Sequence, residues 1–384
     1  MGNHQLKSKE KLNFRINSDL SDLKDLANKC QWELEIVEPS RIQINHPSKT
    51  IDRDILSNWN SLLENNFELL FDRFNPHKPP HQEYFYHLHC AIPYPIPETF
   101  ICKISNAIVS KAQNQSDIYN LKVFEPGMKK KTDRLNLSGQ KLGFYVSLLS
   151  AYTQNYAHWL MDSLPKLALL RSKLLTENLN YIIPKNPPHF IVNSLNLLGI
   201  KDEKVLHLDE EELILENLIL CRPAQNSGRP SKIHLLDIRK LLLSSLRQRK
   251  KDSFSSSPRR IYISRANSAR SIINEVEILP ILKEYNFEVL LCENLSFTEQ
   301  VKIFSEANVI LGAHGAGIYN QIFCDSGATI IEIYNPKYCH HSSRIVAGFL
   351  EHHHWHIFGK HAGQDFQTWV DPRKLQQVLS LALA

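Results

Sequence analysis

Residues 308–317 read NVILGAHGAG, a short apolar run that leads directly into a cluster of glycine and alanine. The apolar run predicts a buried β-strand at Asn308–Leu311, and the small residues Gly312–Gly317 predict a tight turn that opens a helix through about Phe323. Small residues there let backbone N–H groups approach a phosphate, and the helix dipole favours its negative charge. We therefore expect either an anion-binding turn on an α/β sheet or a tight structural turn without a ligand.

Strands and helices alternate on both sides of this turn. Such alternation is typical of a parallel, doubly wound sheet, whose ligands bind at the carboxyl ends of the strands. The functional loops are therefore expected after Ser264, Leu311 and Ile333. The pattern predicts strands at Arg260–Ser264, Phe287–Cys292 and Ala328–Ile333, and helices at Asn274–Tyr285 and Ser296–Ala307, the last opened by a capping box of Ser296 and Glu299.

Domain organisation follows from length and from a change in composition. A chain of 384 residues exceeds what one hydrophobic core usually organises. Alternating patterns also precede the turn, with a strand at Leu142–Leu149 and a helix at Asn155–Leu175, and the charged, Ser-rich stretch Lys250–Pro258 has the composition of a linker. We predict an N-terminal α/β domain at residues 1–250, weakly patterned over its first hundred residues, and a Rossmann-like domain at residues 251–384.

The net charge and the cysteine content restrict the ligands and the cellular compartment that we expect for this protein. The formal net charge is +5, from 45 Lys and Arg against 40 Asp and Glu. This mild, dispersed excess argues against a nucleic-acid-binding surface and suits anionic substrates or an anionic membrane. The cysteines are odd in number and widely spaced, which predicts reduced thiols. No window is long and apolar enough for a membrane span, so we expect a cytoplasmic protein, with peripheral membrane contact through Lys129–Lys131 left open.

Two arginines follow the first strand of the second predicted domain. Arg265 and Arg270 lie in the loop after that strand, where guanidinium groups can hold a diphosphate through bidentate hydrogen bonds. Solvated surface arginines are the alternative. His314 lies within the glycine turn and can donate a proton or a hydrogen bond to an oxyanion. Glu332, near the end of the strand Ala328–Ile333, can accept both hydroxyls of a ribose or form a surface salt bridge.

A second candidate pair lies in the first predicted domain. His158 and Asp162 are four apart on a predicted helix, and hence on one face. An imidazole that is hydrogen-bonded to a carboxylate makes a usable general base near neutral pH, with a structural pair as the alternative. Two metal motifs are weaker, because the His352–His356 tract lacks the spacing of a tetrahedral zinc site and Asp52-x-Asp54 lacks a buried strand before it. We therefore predict no metal site.

Five blocks of the chain form one ordered pattern: His158-Trp159-x-x-Asp162-x-Leu164-Pro165, Ile261-Tyr262-Ile263-Ser264-Arg265 with Arg270 and Asn274-Glu275, Glu293-x-x-Ser296-Phe297-x-Glu299-Gln300, Gly312–Gly317 with Asn320, and Glu332. In this order they strongly resemble glycosyltransferase family 61. The resemblance covers the chain from about residue 140 to about residue 335. The first hundred residues and the His-rich tail carry no such match.

The resemblance implies a GT-B architecture, in which two Rossmann-like domains with parallel, doubly wound sheets face each other. As part of the domain division, we also expect that the last helix can pack back on the N-terminal domain. It implies inverting, metal-independent transfer from a nucleotide-sugar donor, with UDP favoured, to a hydroxyl of a glycan or lipid-linked glycan. Capsule, exopolysaccharide or lipopolysaccharide synthesis is the implied setting. By resemblance, the base is Asp162 or His158, the diphosphate residues are Arg265, Arg270, His314, Gly315, Ala316 and Gly317, and the nucleoside residues are Glu332, Asn320 and Glu293.

Three other functions stay open at this point. A doubly wound sheet supports binding as readily as reaction, so a non-catalytic nucleotide-sugar-binding module is the first. An NAD-dependent oxidoreductase is the second, although the glycine turn follows the third strand of its domain and lacks the Gly-x-Gly-x-x-Gly spacing. A metallohydrolase built on the His tract is the third, and it predicts stoichiometric zinc.

Overall fold

The computed structural model forms two compact units. One contains Met1–Ser40 and Ile96–Ile238, and the other contains Arg41–Pro95 and Arg239–Ala384. The structure describes residues 12–15, 27–28, 33–37, 48–51, 68–73, 86–91, 99–111, 119–123, 140–150, 152–171, 178–208, 212–222, 232–249, 258–338, 342–363 and 366–384.

The described strands and helices are as follows. The strands are β1 (Leu12–Arg15), β2 (Glu33–Val37), β3 (Ser48–Thr50), β4 (Glu68–Arg73), β5 (Tyr86–Ala91), β6 (Thr99–Lys111), β7 (Tyr119–Val123), β8 (Lys141–Ser147), β9 (Leu179–Pro184), β10 (Val205–Leu208), β11 (Glu212–Arg222), β12 (Arg259–Ile263), β13 (Phe287–Leu290), β14 (Ala307–Ala313), β15 (Thr329–Tyr334), β16 (His353–Phe358), β17 (Lys360–His361) and β18 (Thr368–Trp369). The helices are α1 (Tyr156–His158), which continues into a π-helical turn (Trp159–Ser163), α2 (Pro165–Arg171), α3 (His189–Leu197), α4 (Lys232–Gln248), α5 (Glu275–Glu284), α6 (Phe297–Ser305), α7 (Ser342–Phe349) and α8 (Pro372–Ala382), with 3₁₀ turns at Asp202–Lys204, Cys292–Asn294 and Ala316–Phe323.

A mixed sheet forms the first unit. Its strand order is β1-β7-β6-β11-β8-β9-β10, and β2 pairs antiparallel with β6. The strands β11, β8, β9 and β10 run parallel to one another, whereas β6 pairs antiparallel with β11. Buried Ile104, Tyr145, Ile182 and Leu218 contribute to the core. Because β8 lies between the next strand of the chain and a later one, the strand order reverses at β8, and the crevice at its carboxyl end is a favoured place for a ligand.

Five parallel strands form the centre of the second sheet. Their order is β13-β12-β14-β15-β16, and β3, β5 and β4 extend the sheet beyond β16. In chain order the five strands are arranged 2-1-3-4-5, a doubly wound arrangement whose ligand crevice lies between the first and third strands. Buried Tyr262, Leu311, Ile331 and Ile357 form part of the core beneath this edge. The fold therefore directs attention to the carboxyl ends of β12 and β14.

The predicted α/β class and its parallel strand pairing are confirmed. The capping box is present, since Ser296 Oγ accepts from Glu299 N at 3.2 Å and Glu299 Oε2 accepts from Ser296 N at 2.8 Å. The single helix predicted at Asn155–Leu175 is instead divided into α1, the π-helical turn and α2. Proline lacks the N–H of a helix interior, so α2 begins anew at Pro165.

The division into units differs from the predicted boundary at residue 250. The short strand β3 pairs in parallel with β16, which places residues 41–95 in the second unit. Helix α4 spans the division, which falls between Ile238 and Arg239. Within the second unit, Arg239 Nε donates to Ile322 O and Arg239 Nη2 donates to Cys324 O, each at 2.8 Å. A three-residue strand that joins a distant partner leaves no local periodicity, so this exchange of segments was not visible in the sequence pattern.

The last helix, α8, packs within the second unit. Its apolar residues Leu375, Val378 and Leu379 join the buried cluster that also contains Ile278 of α5. Asp371 caps the helix, since its Oδ1 accepts from Arg373 N at 2.9 Å. The apolar face of α8 is therefore buried within the second unit, and its packing on the N-terminal domain stays a prediction.

Candidate functional site

Two loops that the sequence pattern singled out lie together at the switch point of the second sheet, which is the crevice between β12 and β14 where the strand order reverses. β12 ends at Ile263 and leads into the arginine loop Ser264–Arg270, and β14 ends at Ala313 and leads into the turn His314–Gly317. Because β12 and β14 are parallel neighbours, with Ile263 opposite Gly312, both loops leave the same edge of the sheet. This is the edge at which doubly wound proteins bind their ligands.

Arg265 lies directly against the glycine turn. A Cβ atom on Gly315 would lie 1.7 Å from Arg265 Nη1 and 2.6 Å from its Cζ, so the missing side chain makes room for the guanidinium. Arg265 Nε donates to Ser268 Oγ at 3.1 Å, which restrains the side chain. Gly317 makes a second close approach, since a Cβ there would meet Ile263 Cγ2 at 3.0 Å. The turn therefore combines the N–H groups that begin a 3₁₀ turn with a cation.

Arg270 lies near Arg265 at the same edge. Its Cζ is 4.6 Å from the ring centroid of Tyr338, a cation–π contact. Its Nη1 is buried and has no hydrogen-bond partner among the described residues. Burial and the positive charge of Arg270 lower the pKa of Arg265 to about 10, and Glu293 opposes that shift. Two neighbouring guanidinium groups, one with a buried N–H still to be satisfied, are suited to a doubly charged anion such as a diphosphate.

His314 is held by a buried carboxylate. Its Nδ1 lies 2.6 Å from Glu332 Oε1. The other oxygen of Glu332, Oε2, accepts from Tyr334 Oη at 2.6 Å and from Ser343 Oγ at 2.5 Å, and it lies 3.2 Å from His354 Nε2. Four side chains, from the turn after β14 and from β15, β16 and α7, thus converge on one carboxylate.

The charge of Glu332 follows from these partners. Burial alone would raise its pKa, but His314 and His354 outweigh that effect and hold the pKa of Glu332 well below its usual value. An ionised carboxylate only accepts hydrogen bonds, so His314 Nδ1 carries the hydrogen. Glu332 is 0% exposed. Its position therefore differs from the expected ribose contact, because both oxygens are enclosed by side chains of the protein.

The other two predicted nucleoside residues, Asn320 and Glu293, differ in their exposure. Asn320 is buried, and its Nδ2 donates to Gln300 Oε1 at 2.9 Å, which links the 3₁₀ turn to α6. Glu293 is exposed in the turn after β13 and is close enough to Arg265 for their charges to interact. Of the three predicted nucleoside residues, only Glu293 therefore offers an exposed side chain.

In the first unit, the predicted His158–Asp162 pair follows β8, the strand at which the strand order of that sheet reverses. Asn155 caps α1, its Oδ1 accepting from Ala157 N at 3.0 Å. His158 Nδ1 then lies 2.7 Å from Asp162 Oδ2. Trp159 Nε1 donates to Ser194 Oγ at 2.8 Å and anchors the π-helical turn in the core. Spacing alone predicted this pairing, and the structure brings the two side chains together.

Lys166 is a residue of this region that sequence reasoning missed. Its buried Nζ donates to Ser147 O at 3.3 Å and to Leu149 O at 2.5 Å, which ties α2 to the carboxyl end of β8. Burial lowers the pKa of Lys166, whereas Cys221 and Asp162 raise it. Its position four residues after Asp162 puts it on the same helical face, and that spacing was the available signal.

The His-rich tract belongs to the core of the second unit. His352, His354 and His356 are buried and His353 is exposed. Burial lowers the pKa of His352 to about 3 and also lowers the pKa of His354 and of His356, so these imidazoles are neutral at pH 7. Within the described ranges, no group of three or more His, Cys, Asp or Glu side chains is arranged to hold a metal ion.

Several sequence predictions fall on parts of the chain that the structure does not describe. These are Asp52-x-Asp54, the basic stretch Lys129–Lys131, and most of the linker Lys250–Pro258. Cys102, Cys221, Cys292 and Cys324, which are described, form no disulfide. Among the described helices, none combines the length and the apolar character needed to cross a membrane.

Each unit thus carries a His–carboxylate pair at the carboxyl edge of parallel strands, and the second unit adds paired arginines beside a glycine turn. Such an edge is typical of α/β proteins that bind phosphorylated ligands, and the fixed donors suit reactions in which a phosphate or diphosphate develops charge. The fold and the site are therefore those of the α/β proteins that bind phosphorylated ligands.

Comparison with known proteins tests the resemblance predicted from the sequence. Residues 156–331 match the family model described as Glycosyltransferase 61. Over these residues, the resemblance predicted from the five sequence blocks is confirmed. The matched region includes the His158–Asp162 pair and the arginine loop, and it extends into β15.

Curated relatives share parts of this region. The EGF domain-specific O-linked N-acetylglucosamine transferase of Drosophila melanogaster is 35% identical over 77 residues, which cover 19% of this chain and 15% of that protein. A β-1,2-xylosyltransferase of Oryza sativa subsp. japonica is 24% identical over 209 residues, covering 49% of this chain and 36% of that protein. The chain thus matches well under half the length of these relatives.

A solved structure shows a weaker likeness. It is a dodecameric iron-containing heptosyltransferase in complex with ADP-D-β-D-heptose, 9% identical, with a TM-score of 0.31 over 89% of this chain and 85% of that one. A score at this level does not establish a common arrangement of domains, and the GT-B architecture stays a prediction.

Proposed function

We propose that this chain transfers a sugar from a nucleotide-sugar donor, most simply a UDP-sugar, to a hydroxyl group of a glycan or lipid-linked glycan, with inversion at the anomeric carbon. The observation that carries the proposal is the packing of Arg265 against Gly315 at the switch point of the second sheet, with Arg270 nearby. Sugar transfer is the activity named for both curated relatives described above.

The donor diphosphate would bind at the arginine edge, which is the edge of the second sheet where β12 and β14 end and where Arg265 and Arg270 lie. Arg265 and Arg270 supply the positive charge that a metal ion supplies in other transferases, so the proposed binding is metal-independent. His314, whose Nδ1–H donates to Glu332, would present Nε2 to the leaving diphosphate and donate to it as the doubly protonated imidazolium. Preorganised donors of this kind typically each contribute about 10²- to 10³-fold to turnover. The N–H groups of Gly315, Ala316 and Gly317 would complete the cradle.

The acceptor hydroxyl would lose its proton to the pair in the first unit. His158 has 23% of its side chain exposed and Asp162 has 3%, so we assign the base to His158 and its orientation to Asp162. His158 Nε2 takes the proton while the hydroxyl oxygen attacks the anomeric carbon from the face opposite the diphosphate. The bond from that carbon to the diphosphate oxygen breaks, and its electron pair leaves with the diphosphate. One displacement inverts the configuration.

The biological setting is part of the proposal. The resemblance and the positive net charge favour an enzyme of capsule, exopolysaccharide or lipopolysaccharide assembly that works in the cytoplasm, at the inner face of a membrane. A non-catalytic nucleotide-sugar-binding module remains the second candidate, because the arginine edge by itself accounts for binding.

Calorimetric titration of UDP, GDP, CMP and NAD into the wild type and Arg265→Ala, with EDTA present, tests the proposal. We expect UDP binding that survives EDTA and weakens in the variant by about 1.5 to 3 kcal/mol, the usual contribution of a charged hydrogen bond. Arg247→Ala removes the same charge from an exposed position on α4 and serves as the matched control. Binding of NAD alone, or nucleotide binding that requires added metal, would contradict the proposal.

A further inference from the structure

Two exposed aromatic side chains lie in contact at the arginine edge. Tyr338, after β15, is 38% exposed, and Phe366, before β18, is 39% exposed. Their ring centroids are 5.1 Å apart and their planes are inclined at 41°. Apolar rings that are left in water next to one another at the ligand edge of a fold are characteristic of a binding surface.

Asn335 holds both aromatic residues in place. Its carbonyl oxygen accepts from Tyr338 N at 2.9 Å, and its Nδ2 donates to the carbonyl oxygen of Phe366 at 2.9 Å. The side chain of Asn335 is buried. The backbones that carry the two rings are therefore held by hydrogen bonds to one buried asparagine.

The backbone of Phe366 is in an unfavourable conformation. Its φ of 63° lies in the left-handed region, which residues with a Cβ rarely adopt. Such conformations persist where the surrounding structure imposes them, and they are enriched at ligand sites. Here the hydrogen bond from Asn335 Nδ2 to the carbonyl oxygen of Phe366 is one such constraint on the backbone.

The aromatic pair is continuous with the residues assigned to the diphosphate. Arg270 Cζ lies 4.6 Å from the centroid of Tyr338, and the His314 ring centroid lies 5.7 Å from it. Arg270 also carries the buried Nη1 that has no acceptor within the described residues. A ligand that satisfies this N–H with a phosphate oxygen would bring its neighbouring group to the aromatic pair.

We propose that Tyr338 and Phe366 form a platform on which the nucleobase of the donor stacks. This inference rests on the proposed function, because it identifies the nucleoside subsite of the same donor site. A nucleobase is planar and carries a π-face, so it gains from stacking on exposed aromatic rings. Such stacking is tolerant of base identity, and the platform therefore supplies affinity for nucleosides in general rather than selection of uracil over guanine.

The test compares a nucleoside diphosphate with its phosphate part alone. UDP, GDP and inorganic pyrophosphate are titrated into the wild type, Phe366→Leu and Phe366→Tyr. Leucine keeps the side-chain bulk and removes the ring, whereas tyrosine keeps the ring and is the matched control. We expect Phe366→Leu to weaken UDP and GDP binding about tenfold, to leave pyrophosphate binding unchanged, and to be rescued in Phe366→Tyr.

Each other outcome has a definite meaning. Equal loss of UDP and pyrophosphate binding in Phe366→Leu would overturn the inference, since the ring would then act only by positioning the arginines. Unchanged UDP and GDP binding in Phe366→Leu would overturn it as well, and would leave the proposed function intact. If the wild type binds neither UDP nor GDP more tightly than pyrophosphate, the proposed function itself fails together with the inference.

Discussion

The two units hold the same pair of side chains in different settings. In the first, His158 Nδ1 lies 2.7 Å from Asp162, and both residues belong to one helical segment. In the second, His314 Nδ1 lies 2.6 Å from Glu332, and the two residues come from a turn and from the neighbouring strand. The first imidazole is partly exposed, whereas the second is buried over a carboxylate with four partners.

This difference teaches that the partners of the carboxylate decide what the imidazole can do. A partly exposed His158 can exchange a proton with a hydroxyl from outside the protein, which is the requirement for a base. A buried Glu332 that is held ionised fixes the hydrogen on His314 Nδ1 and keeps the ring in one orientation. The same two groups therefore suit proton transfer in one unit and a rigidly oriented imidazole in the other.

The largest effect is expected when the first pair is broken by Asp162→Asn. The amide no longer stabilises the protonated imidazole, so turnover should fall about 10²- to 10⁴-fold, while the dissociation constant for UDP stays unchanged. Steady-state kinetics and calorimetry measure the two quantities. Asp202→Asn changes an exposed carboxylate of the same unit and is the control. Turnover within a few-fold of the wild type would remove the pair from the mechanism.

A smaller effect, this time on stability, is expected from Glu332→Gln. Loss of one partner from a buried charged network lowers the free energy of unfolding by about 3 kcal/mol at pH 7. The folded-state pKa of Glu332 is below its unfolded value near 4.5, so its stabilisation is present above that pH and is lost as the pH falls through the folded-state pKa.

Urea unfolding from pH 3 to pH 7 checks this prediction. The difference between the wild type and Glu332→Gln should be largest near neutral pH and should shrink toward pH 3. Glu284→Gln on the exposed face of α5 provides the control, for which no such trend is expected. A difference that is independent of pH would show that the ionised form of Glu332 is not what stabilises the second pair.

The smallest effect, on UDP binding, is expected from Gly315→Ala in the glycine turn. In Gly315→Ala the new methyl group occupies the place of Arg265 Nη1, so the guanidinium must move and UDP binding should weaken about tenfold. The backbone at Gly315 is extended, which any residue can adopt, so the fold should survive. In an Arg265→Ala background the same change should have little further effect, and calorimetry of the four proteins measures this coupling. Additive losses would mean that Gly315 serves some purpose other than admitting Arg265.

Local patterns predicted the features whose partners are close in the chain. The spacing of His158 and Asp162 predicted their pairing, the Ser296 and Glu299 capping box is present, and the apolar run before Gly312 is a buried parallel strand. These features depend on helical periodicity and on strand composition, which a single sequence contains.

Features that depend on register between distant strands could not be predicted in the same way. Gly312 lies opposite Glu332, and that register brings His314 onto the carboxylate. One signal was present, because Glu332 interrupts the otherwise apolar run of β15, and such runs are buried on both faces in parallel sheets. The approach of Phe366 to Tyr338 left no comparable signal, since it depends on Asn335 and on a left-handed backbone.

The exchange of segments between the units has a consequence for biosynthesis. Strand β3 leaves the ribosome about 300 residues before β16, the strand against which it pairs. At 5 to 20 residues per second, translation leaves β3 without its partner for roughly 15 to 60 s. A shortened protein made from residue 251 onward would expose the edge of β16 that β3 normally covers, and uncovered parallel edges recruit other chains. We therefore expect the segment that contains β3 to protect the second unit from aggregation, although its sequence pattern is weak.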